Sequence, residues 1–258
     1  MNFFKKIFGK AEAKTPKPNG NVTLEHLLEK LAPYKKQAFV PKTIAVESEF
    51  NTASKFGGLP YLRNENDWPV CQNCKKHMQL FLQLNLENLP IKQEQGIIQL
   101  FYCTNTAPHC EVDCEAFFPF AKSVVCRKIN ISQPSAIIKP NIDELFGENK
   151  IIGWNAIDDY PHYEELADLG LEINVDDYAV LEEAEIGIPA SGDKLFGWPY
   201  WVQNVEYPND RKTQSQMKLL FQIDSEDNLP YMFGDSGVGH ITQSPDDPNE
   251  LAFAWACC

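Results

Sequence analysis

Short apolar runs of strand length, some of them alternating with polar residues, dominate the chain after residue 38. "MQLFLQLNL" begins at residue 78, "GIIQLFYC" at residue 96 and "SVVCRKI" at residue 123, and the last third adds "MKLLFQID" and "ELAFAWACC". Short runs with this pattern are typical of β-strands that bury one face. The pattern therefore predicts a chain in which strands outnumber helices.

Helical periodicity is limited to two places. Thr23 is positioned to cap a helix, and the residues that follow on one helical face are Leu24, Leu27, Leu28 and Leu31. The stretch "PHYEELADLG" predicts a second short helix that ends at Gly170. Upstream, residues 11–22 mix Ala, Lys, Pro and Gly, as linkers do. We therefore predict a flexible N-terminal segment at 1–22.

Two stretches of the chain resemble each other. A shift of 139 residues superimposes 55–83 on 194–222 without a gap and gives eight identical pairs. The pairs are Lys55/Lys194, Gly58/Gly197, Pro60/Pro199, Tyr61/Tyr200, Pro69/Pro208, Met78/Met217, Leu80/Leu219 and Gln83/Gln222. Such self-similarity indicates a repeated structural unit. Gln83 and Gln222 interrupt apolar runs, so we expect each to hydrogen-bond to neighbouring backbone.

The combined pattern predicts an α+β protein with an internal duplication. We expect two similar β-rich halves, at about 40–130 and 180–258, with mainly antiparallel sheets and a few flanking helices. An acidic middle segment is expected to join them. One domain is therefore predicted to span 23–258.

The charge of the chain restricts its partners. The formal net charge is −13, which argues against nucleic acid because phosphate binding needs a basic surface. Residues 151–193 contain no Lys or Arg. Their acidic residues are Asp158, Asp159, Glu164, Glu165, Asp168, Glu172, Asp176, Asp177, Glu182, Glu183, Glu185 and Asp193. The segment is interpreted as a solvated acidic face or as a surface that attracts a basic protein.

A signal for export or membrane insertion is not recognised in the sequence. The opening "MNFFKKIFGK" has no continuous apolar core, and no segment reaches the ~18 apolar residues of a transmembrane helix. A cytoplasmic, reducing environment is therefore expected. In that environment the eight cysteines are interpreted as thiols or metal ligands rather than as disulfides.

The first of the two similar stretches carries a Cys-x-x-Cys motif that the second lacks. Cys71 and Cys74 correspond to Asp210 and Thr213. A redox pair would open a helix, but a strand-like run follows here, which argues against redox chemistry. Two idle thiols or half of a metal site remain as interpretations.

A metal site needs a second group of ligands, and the end of the next predicted strand supplies Cys103, Cys110 and Cys114. Adjacent antiparallel strands bring the start of one beside the end of the other, and so place Cys74 near Cys103. The predicted ligands of a closed, structural zinc site are Cys71, Cys74, Cys103 and Cys110. Cys114 and His109 are alternatives for the fourth ligand.

The remaining cysteines offer a weaker pattern. Cys126 lies in an apolar run and is interpreted as a buried small hydrophobe. Alignment of the final strands places Cys257 and Cys258 near the position of Cys103, but no second Cys-x-x-Cys pair accompanies them. The sequence assigns them no metal role.

A convincing catalytic set is not found in the sequence. The string "GDSG" at 234–237 occurs around the nucleophile of trypsin-like proteases, but no histidine lies in a matching segment. A turn between strands is the better interpretation. His162 beside the acidic run is interpreted as a surface residue. The sequence leaves enzyme activity undecided and favours a non-enzymatic protein.

The runs "KFGGLPYL", "HMQLFLQLN" and "GDSG" together resemble the YwqG-like proteins, a bacterial domain of unknown function with a duplicated architecture. More distantly, the first half is similar to the programmed cell death protein 2 family, in which a Gly-Gly-x-Pro turn, Cys-x-x-Cys, a strand ending in Gln and two further cysteines recur in this order. Cys71, Cys74, Cys103 and Cys110 match those positions, so the resemblance implies zinc. It also implies binding of protein clients, among them a basic one, or a role in toxin–immunity systems.

These observations lead to two hypotheses about function. The first is a non-catalytic cytoplasmic protein-binding module, chaperone-like or immunity-like, with a structural zinc site in the first repeat and an acidic surface for a basic client. The second is an uncharacterised hydrolase or small-molecule binder. Its site would lie in the cleft between the two halves, near Asp235 and His240.

Overall fold

The computed structural model describes residues 23–258 apart from 92–94, 134, 172, 185 and 187–188. The predicted flexible segment at 1–22 lies outside the described residues. Within the described ranges, none of the helices combines the length and the apolar character needed to cross a bilayer.

Strands account for most of the regular structure. In the described part of the chain the strands are β1 (Lys36–Val46), β2 (Lys55–Phe56), β3 (Gln79–Asn85), β4 (Ile97–Tyr102), β5 (Val124–Ile129), β6 (Glu148–Asp159), β7 (Lys194–Phe196), β8 (Lys218–Asp224), β9 (Val238–Gln243) and β10 (Leu251–Ala256). The α-helices are α1 (Leu24–Leu31), α2 (Cys110–Asp113), α3 (Tyr163–Asp168) and α4 (Val175–Glu183). Thr23 caps α1 as predicted, because its hydroxyl accepts the His26 N–H.

The described strands form one continuous antiparallel sheet in the order β10-β9-β8-β7-β1-β6-β2-β3-β4-β5. The sheet curls until its two edge strands, β5 and β10, lie against each other. Trp255 on β10 donates its indole N–H to the Tyr102 hydroxyl of β4, at 3.0 Å. The protein is therefore mostly β, with few helices.

The prediction of an α+β protein made of two β-rich halves with flanking helices is wrong. The acidic middle, which the sequence suggested as a connection, supplies β6 at the centre of the sheet. β6 pairs with β1 along its length, from Lys36 opposite Asp159 to Val46 opposite Glu148. The two similar stretches thus lie on either side of one central strand pair, and their apolar residues share one core. Within this core, the rings of Phe56 and Phe221 are 5.8 Å apart. The division into a segment at 1–22 and two repeats within 23–258 stays a prediction.

The two similar stretches make equivalent hydrogen bonds. Gln83 lies opposite β2 and Gln222 opposite β7. Each side-chain amide donates to two backbone carbonyl groups of the preceding loop and accepts the N–H of a tyrosine, Tyr61 or Tyr200. The prediction that both glutamines bond to neighbouring backbone is confirmed.

The identical lysines of the two stretches form buried ion pairs. Lys55 lies 2.9 Å from Glu148, and Lys194 lies 2.8 Å from Asp159. The two carboxylates come from the two ends of β6, and all four side chains are buried. Burial lowers the pKa of both lysines, and the paired carboxylates oppose this shift. The pairs therefore tie both stretches to the central strand.

The acidic segment is only partly a surface feature. Among its described side chains, those that are buried are Asp159, Glu165, Asp177 and Asp193. Each has an internal role: Asp159 binds Lys194, Glu165 accepts the Trp201 indole N–H, Asp177 accepts the Asn174 N–H, and Asp193 accepts the Asp224 N–H. The interpretation as a solvated face therefore holds for exposed members such as Asp158 and Asp168, but not for these four.

Stability is expected to decline as the pH rises from about 4 to about 8, because of Asp193. Burial, together with the nearby carboxylates of Asp227 and Asp224, raises the pKa of Asp193 to about 8. An aspartate in the unfolded chain ionises near pH 4. Between these values the folded state binds the extra proton, so raising the pH favours unfolding. Urea denaturation across this range measures the slope, and Asp193→Asn should flatten it whatever its effect on absolute stability. An unchanged slope in the variant would contradict this origin.

Candidate metal centre

The first two cysteines are held by a tight turn before β3. The Cys71 N–H donates to the Lys76 carbonyl and the Lys75 N–H to the Cys71 carbonyl, both at 2.9 Å. Lys75 adopts a left-handed conformation, with φ of 62°. An isolated bridge between Val70 and His77 closes the turn. This geometry directs the sulfur atoms of Cys71 and Cys74 toward the same point.

The second pair comes from the end of β4 and the segment that follows it. Cys103 directly follows β4, and its N–H donates to the Ser123 carbonyl at 3.0 Å. Cys110 is the first residue of α2, and its N–H donates to the Asn105 carbonyl at 2.9 Å. The hairpin of β3 and β4 brings both sulfur atoms to the Cys71 turn.

The four sulfur atoms lie at the corners of a compact group. Cys71 Sγ is 3.8 Å from Cys110 Sγ, Cys74 Sγ is 3.6 Å from Cys103 Sγ, and all four lie within 4.8 Å of one another. Sulfur atoms bound tetrahedrally to zinc at about 2.3 Å are separated by about 3.8 Å. A disulfide would need about 2.05 Å, and all four cysteines are free thiols. The arrangement therefore has the dimensions of a metal site, not of a disulfide pair.

The surroundings of the cluster are apolar. Three of the thiols are buried, and the side chains packed around them include Trp68, Met78, Leu80 and Phe101. Asn73 supplies a polar contact, because its side-chain amide donates to Cys110 Sγ at 3.4 Å. A metal ion held by four sulfur atoms in this shell would have no open position for water. The arrangement suits a structural site rather than a catalytic one.

The thiols differ in how readily they ionise. Burial raises the pKa of Cys110 to about 11 and that of Cys103 further still. Burial opposes ionisation of Cys71 as well, but hydrogen bonds from the backbone N–H groups of Cys74 and Asn73 outweigh it and lower the pKa of Cys71. A divalent cation would supply the positive charge that four thiolates in these apolar surroundings need.

The structure brings together Cys71, Cys74, Cys103 and Cys110. In the described residues, His109 and Cys114, the alternatives for the fourth ligand, lie outside this group. Cys126 is partly buried on β5, and burial raises its pKa to about 12.

The second stretch keeps the same turn without cysteines. The Asp210 N–H donates to the Ser215 carbonyl, and the Gln214 N–H to the Asp210 carbonyl, as in the Cys71 turn. The Asp210 carboxylate accepts the N–H groups of Lys212 at 2.7 Å and Thr213 at 3.0 Å. In this turn, a carboxylate oxygen of Asp210 thus accepts the backbone N–H groups equivalent to those that the Cys71 sulfur accepts in the first stretch.

The predicted correspondence between Cys103 and the last two cysteines, Cys257 and Cys258, is wrong. Tyr102 lies opposite Gln79, and Gln243 lies opposite Lys218, so the residue after each strand is Cys103 or Ser244. Ser244, and not Cys257 or Cys258, therefore occupies the position of Cys103. Ser244 lies 141 positions after Cys103, not 139, because the connection between β8 and β9 is two residues longer than that between β3 and β4.

A polar contact next to the cluster was not predicted from the sequence. Glu111 follows Cys110 in α2, and its carboxylate accepts the hydroxyl groups of Tyr102, at 2.8 Å, and Tyr231. Tyr102 is the last residue of β4, and Tyr231 lies in the segment between β8 and β9. Residue type and spacing gave no signal for this contact, because its partners are 9 and 120 positions away.

The sequence profile of one protein family matches residues 54–258, which include all four cysteines. The chain belongs to the family described as a domain of unknown function (DUF1963). The match covers both similar stretches of this DUF1963 protein and the central strand β6. No curated protein matches the sequence significantly.

The two residues proposed for a catalytic cleft of the DUF1963 protein do not share a site. Asp235 is exposed in the turn at 234–237, where the Gly237 N–H donates to the Phe233 carbonyl at 2.8 Å, so "GDSG" is a turn, as predicted. His240 is buried on β9. His162 directly precedes α3 and caps it, because its ring accepts the Glu164 N–H.

A cleft of about 580 Å³ lies elsewhere on the DUF1963 protein, beside the start of β1, α3, β7 and β8. Its lining includes Lys36, Glu165, Trp198 and Tyr207. Burial raises the pKa of Glu165 and lowers that of Lys36, and Lys36 Nζ lies over the Trp198 ring. The sequence did not indicate this group, because its members come from three distant segments: β1, α3 and the connection between β7 and β8.

Proposed function

We propose that this DUF1963 protein is a non-catalytic binding protein for a basic polypeptide, with zinc as a structural ion at Cys71, Cys74, Cys103 and Cys110. The observation that carries the proposal is the closed set of four sulfur atoms within 4.8 Å, which suits a scaffold and leaves no position for a reacting water. The thiolate ligands and tetrahedral spacing favour zinc over oxygen-preferring cations.

The charge of the chain supports a basic partner. The formal net charge is −13, and exposed acids remain at Asp158, Asp168 and Glu206 even though part of the acidic segment is internal. Exposed charges of one sign attract an oppositely charged partner and accelerate its encounter. A cytoplasmic location stays a prediction of the sequence.

The finer family relationship is part of the proposal. The resemblance to the YwqG-like proteins, and more distantly to the programmed cell death protein 2 family, rests on the shared turns, the strands that end in Gln and the four cysteines. Those relationships favour a chaperone-like or immunity-like role. They favour a basic protein as the class of client and do not point to one particular protein.

Capture of partners from the native host is expected to recover basic proteins whose binding weakens with salt. Exposed charge pairs are screened within about 10 Å at 0.1 M salt, so binding at low salt should be largely lost near 0.5 M. Mass spectrometry identifies the captured proteins in parallel washes at the two salt concentrations. The proposal would be contradicted if no polypeptide were recovered, or if the binding of every recovered partner were unchanged at the higher salt concentration.

A second candidate is a small-molecule binder, favoured by the 580 Å³ cleft and its buried Glu165. The Glu165 carboxylate accepts the Trp201 indole N–H at 3.2 Å and the Tyr207 hydroxyl, so it is fixed in place. Concave sites with a few fixed polar groups commonly bind small ligands. Thermal stabilisation by a small molecule that Glu165→Gln abolishes, without any salt-sensitive polypeptide partner, would favour this function.

A further inference from the structure

The single sheet contains two similar groups of strands, β2–β5 (the first half) and β7–β10 (the second half), on either side of β1 and β6. They differ in the residues that surround one position on β4 and the equivalent position on β9. Gln99 on β4 lies opposite Gln83, and His240 on β9 lies opposite Gln222, so Gln99 and His240 are equivalent. Gln99 donates to the Tyr61 carbonyl at 2.7 Å, and His240 bonds to the equivalent backbone of Tyr200. Gln99 and His240 thus make equivalent contacts with the backbone of Tyr61 and Tyr200.

In the first half, the neighbour of Gln99 on the next strand, β5, is an arginine. Arg127 lies opposite Gln99 on β5 and donates from Nε and Nη2 to Gln99 Oε1, at 3.0 and 2.9 Å. Its Nη1 donates to Asp67 Oδ1 at 3.1 Å. A guanidinium group therefore fills the space between an amide oxygen and a carboxylate.

In the second half, that arginine is replaced by alanine. Ala254 lies opposite His240 on β10, as Arg127 lies opposite Gln99. A pocket of about 240 Å³ opens beside Ala254. The residue that corresponds to Asp67 is Glu206, 139 positions later, and it lines the pocket. The pocket therefore lies where a guanidinium group equivalent to that of Arg127 would lie if Ala254 were an arginine.

The acceptor groups for a guanidinium remain in the second half. His240 is 6% exposed, and its Nε2 has no hydrogen-bond partner in the described structure. Burial lowers the pKa of His240 to about 3, so the ring is neutral, and its other nitrogen bonds to Tyr200. Nε2 is then a lone-pair acceptor, like Gln99 Oε1. Glu206 is exposed and forms no ion pair with the described residues.

The walls of the pocket also suit a planar cation. Trp201 and Trp255 line it together with Phe117, from the segment between β4 and β5. Aromatic faces attract guanidinium groups and stack against them. The pocket thus combines aromatic walls, a carboxylate and a buried acceptor that lacks a donor.

We propose that this pocket, between β10 and the 117–119 segment, binds an arginine side chain of a basic polypeptide, in the place that Arg127 fills in the first half. The inference rests on the proposed function, because it specifies how the basic partner is recognised. A polypeptide is favoured over a free amino acid because the chain carries a net charge of −13, which attracts a partner with many positive charges.

The test uses the capped peptide acetyl-Gly-Arg-Gly-amide, titrated to about 10 mM so that weak recognition registers. The indole N–H signals of Trp201 and Trp255 in ¹⁵N-labelled protein report binding, and those of Trp68, Trp154 and Trp198 are internal controls. Replacement of arginine by citrulline, which has nearly the same shape but no charge, should weaken binding about tenfold or more. Equal binding of the two peptides, or no shift at either indole, would overturn the inference.

Two variants test the location. Ala254→Arg supplies the guanidinium from within and should abolish peptide binding without lowering the unfolding temperature, since Arg127 fills the equivalent space. Glu206→Gln should weaken binding roughly two- to fivefold, the range of an exposed charge pair. Glu47→Gln, an exposed acid that does not line this pocket, is the matched control. Unchanged binding by folded Ala254→Arg, or an equal effect of the two Glu→Gln variants, would contradict the assignment.

Two further comparisons separate this inference from the proposed function. Tighter binding of free arginine than of the capped peptide would overturn the assignment to a polypeptide. Salt-sensitive capture of basic partners that is the same for Ala254→Arg and the unmodified protein would overturn the pocket and leave the proposed function standing. Loss of capture in Ala254→Arg alone would support both.

Discussion

Purified protein is expected to carry about one zinc ion per chain, and Cys71→Ser is expected to lose it. Cys71 is buried and lies 3.8 Å from Cys110, so a serine there would remove one of four soft ligands. Loss of a structural metal is among the few single changes that cost more than about 4 kcal/mol. Zinc content by elemental mass spectrometry and the free energy of unfolding in urea check the two parts of this result.

Cys114→Ser is the matched control for that substitution. Cys114 lies four residues after Cys110, at the end of α2, but outside the four-sulfur group. It should keep the metal and most of the stability. Metal-free wild-type protein of unchanged stability would refute the zinc site, and equal losses in the two variants would show that the effect is not specific to the cluster.

Lys194→Met is expected to destabilise the fold by about 3–5 kcal/mol, because it leaves a buried carboxylate without its cation. Asp159 accepts Lys194 Nζ at 2.8 Å and the N–H groups of Ala190 and Trp198, also at 2.8 Å. Its location at the end of the central strand β6 leaves it no access to water. Chemical denaturation measures the loss.

Lys35→Met provides a close comparison. Lys35 lies 2.9 Å from Asp158, the residue before Asp159, but both side chains of this pair are exposed. An exposed pair is screened by solvent and contributes little, so this variant should remain close to wild type. Similar losses in the two variants would contradict the assignment of the effect to the buried charge.

Local patterns in the sequence were sufficient to predict that the four cysteines of the candidate metal centre lie together. The Cys-x-x-Cys turn and the strand after it are contiguous, and two neighbouring strands place Cys103 beside Cys74 without knowledge of the remaining fold. The choice of Cys110 over Cys114 depended on the conformation of the segment after β4. One sequence does not reveal that conformation, because both residues lie within a few positions of the required place.

The architecture could not be predicted in the same way. β1 and β6 pair across more than 100 residues, and β6 lies in a segment whose acidic composition suggested a connection. Burial of Asp159 next to exposed Asp158 depends on the lysine that meets it, which the sequence does not locate. The pocket at Ala254 could not be predicted either. It is recognised only when Ala254 is compared with Arg127, the equivalent residue of the first half, and that equivalence depends on the strand pairing.

The segment between β4 and β5 has a consequence for solubility. A sheet edge with free N–H and C=O groups is a template for pairing with another chain. On β10, the Trp255 N–H is bonded instead to the Phe117 carbonyl of this segment, at 3.2 Å. The same segment is anchored by Cys110 in the sulfur cluster. A metal held there would therefore also keep the edge of the sheet covered, and its loss would promote self-association before the core itself came apart.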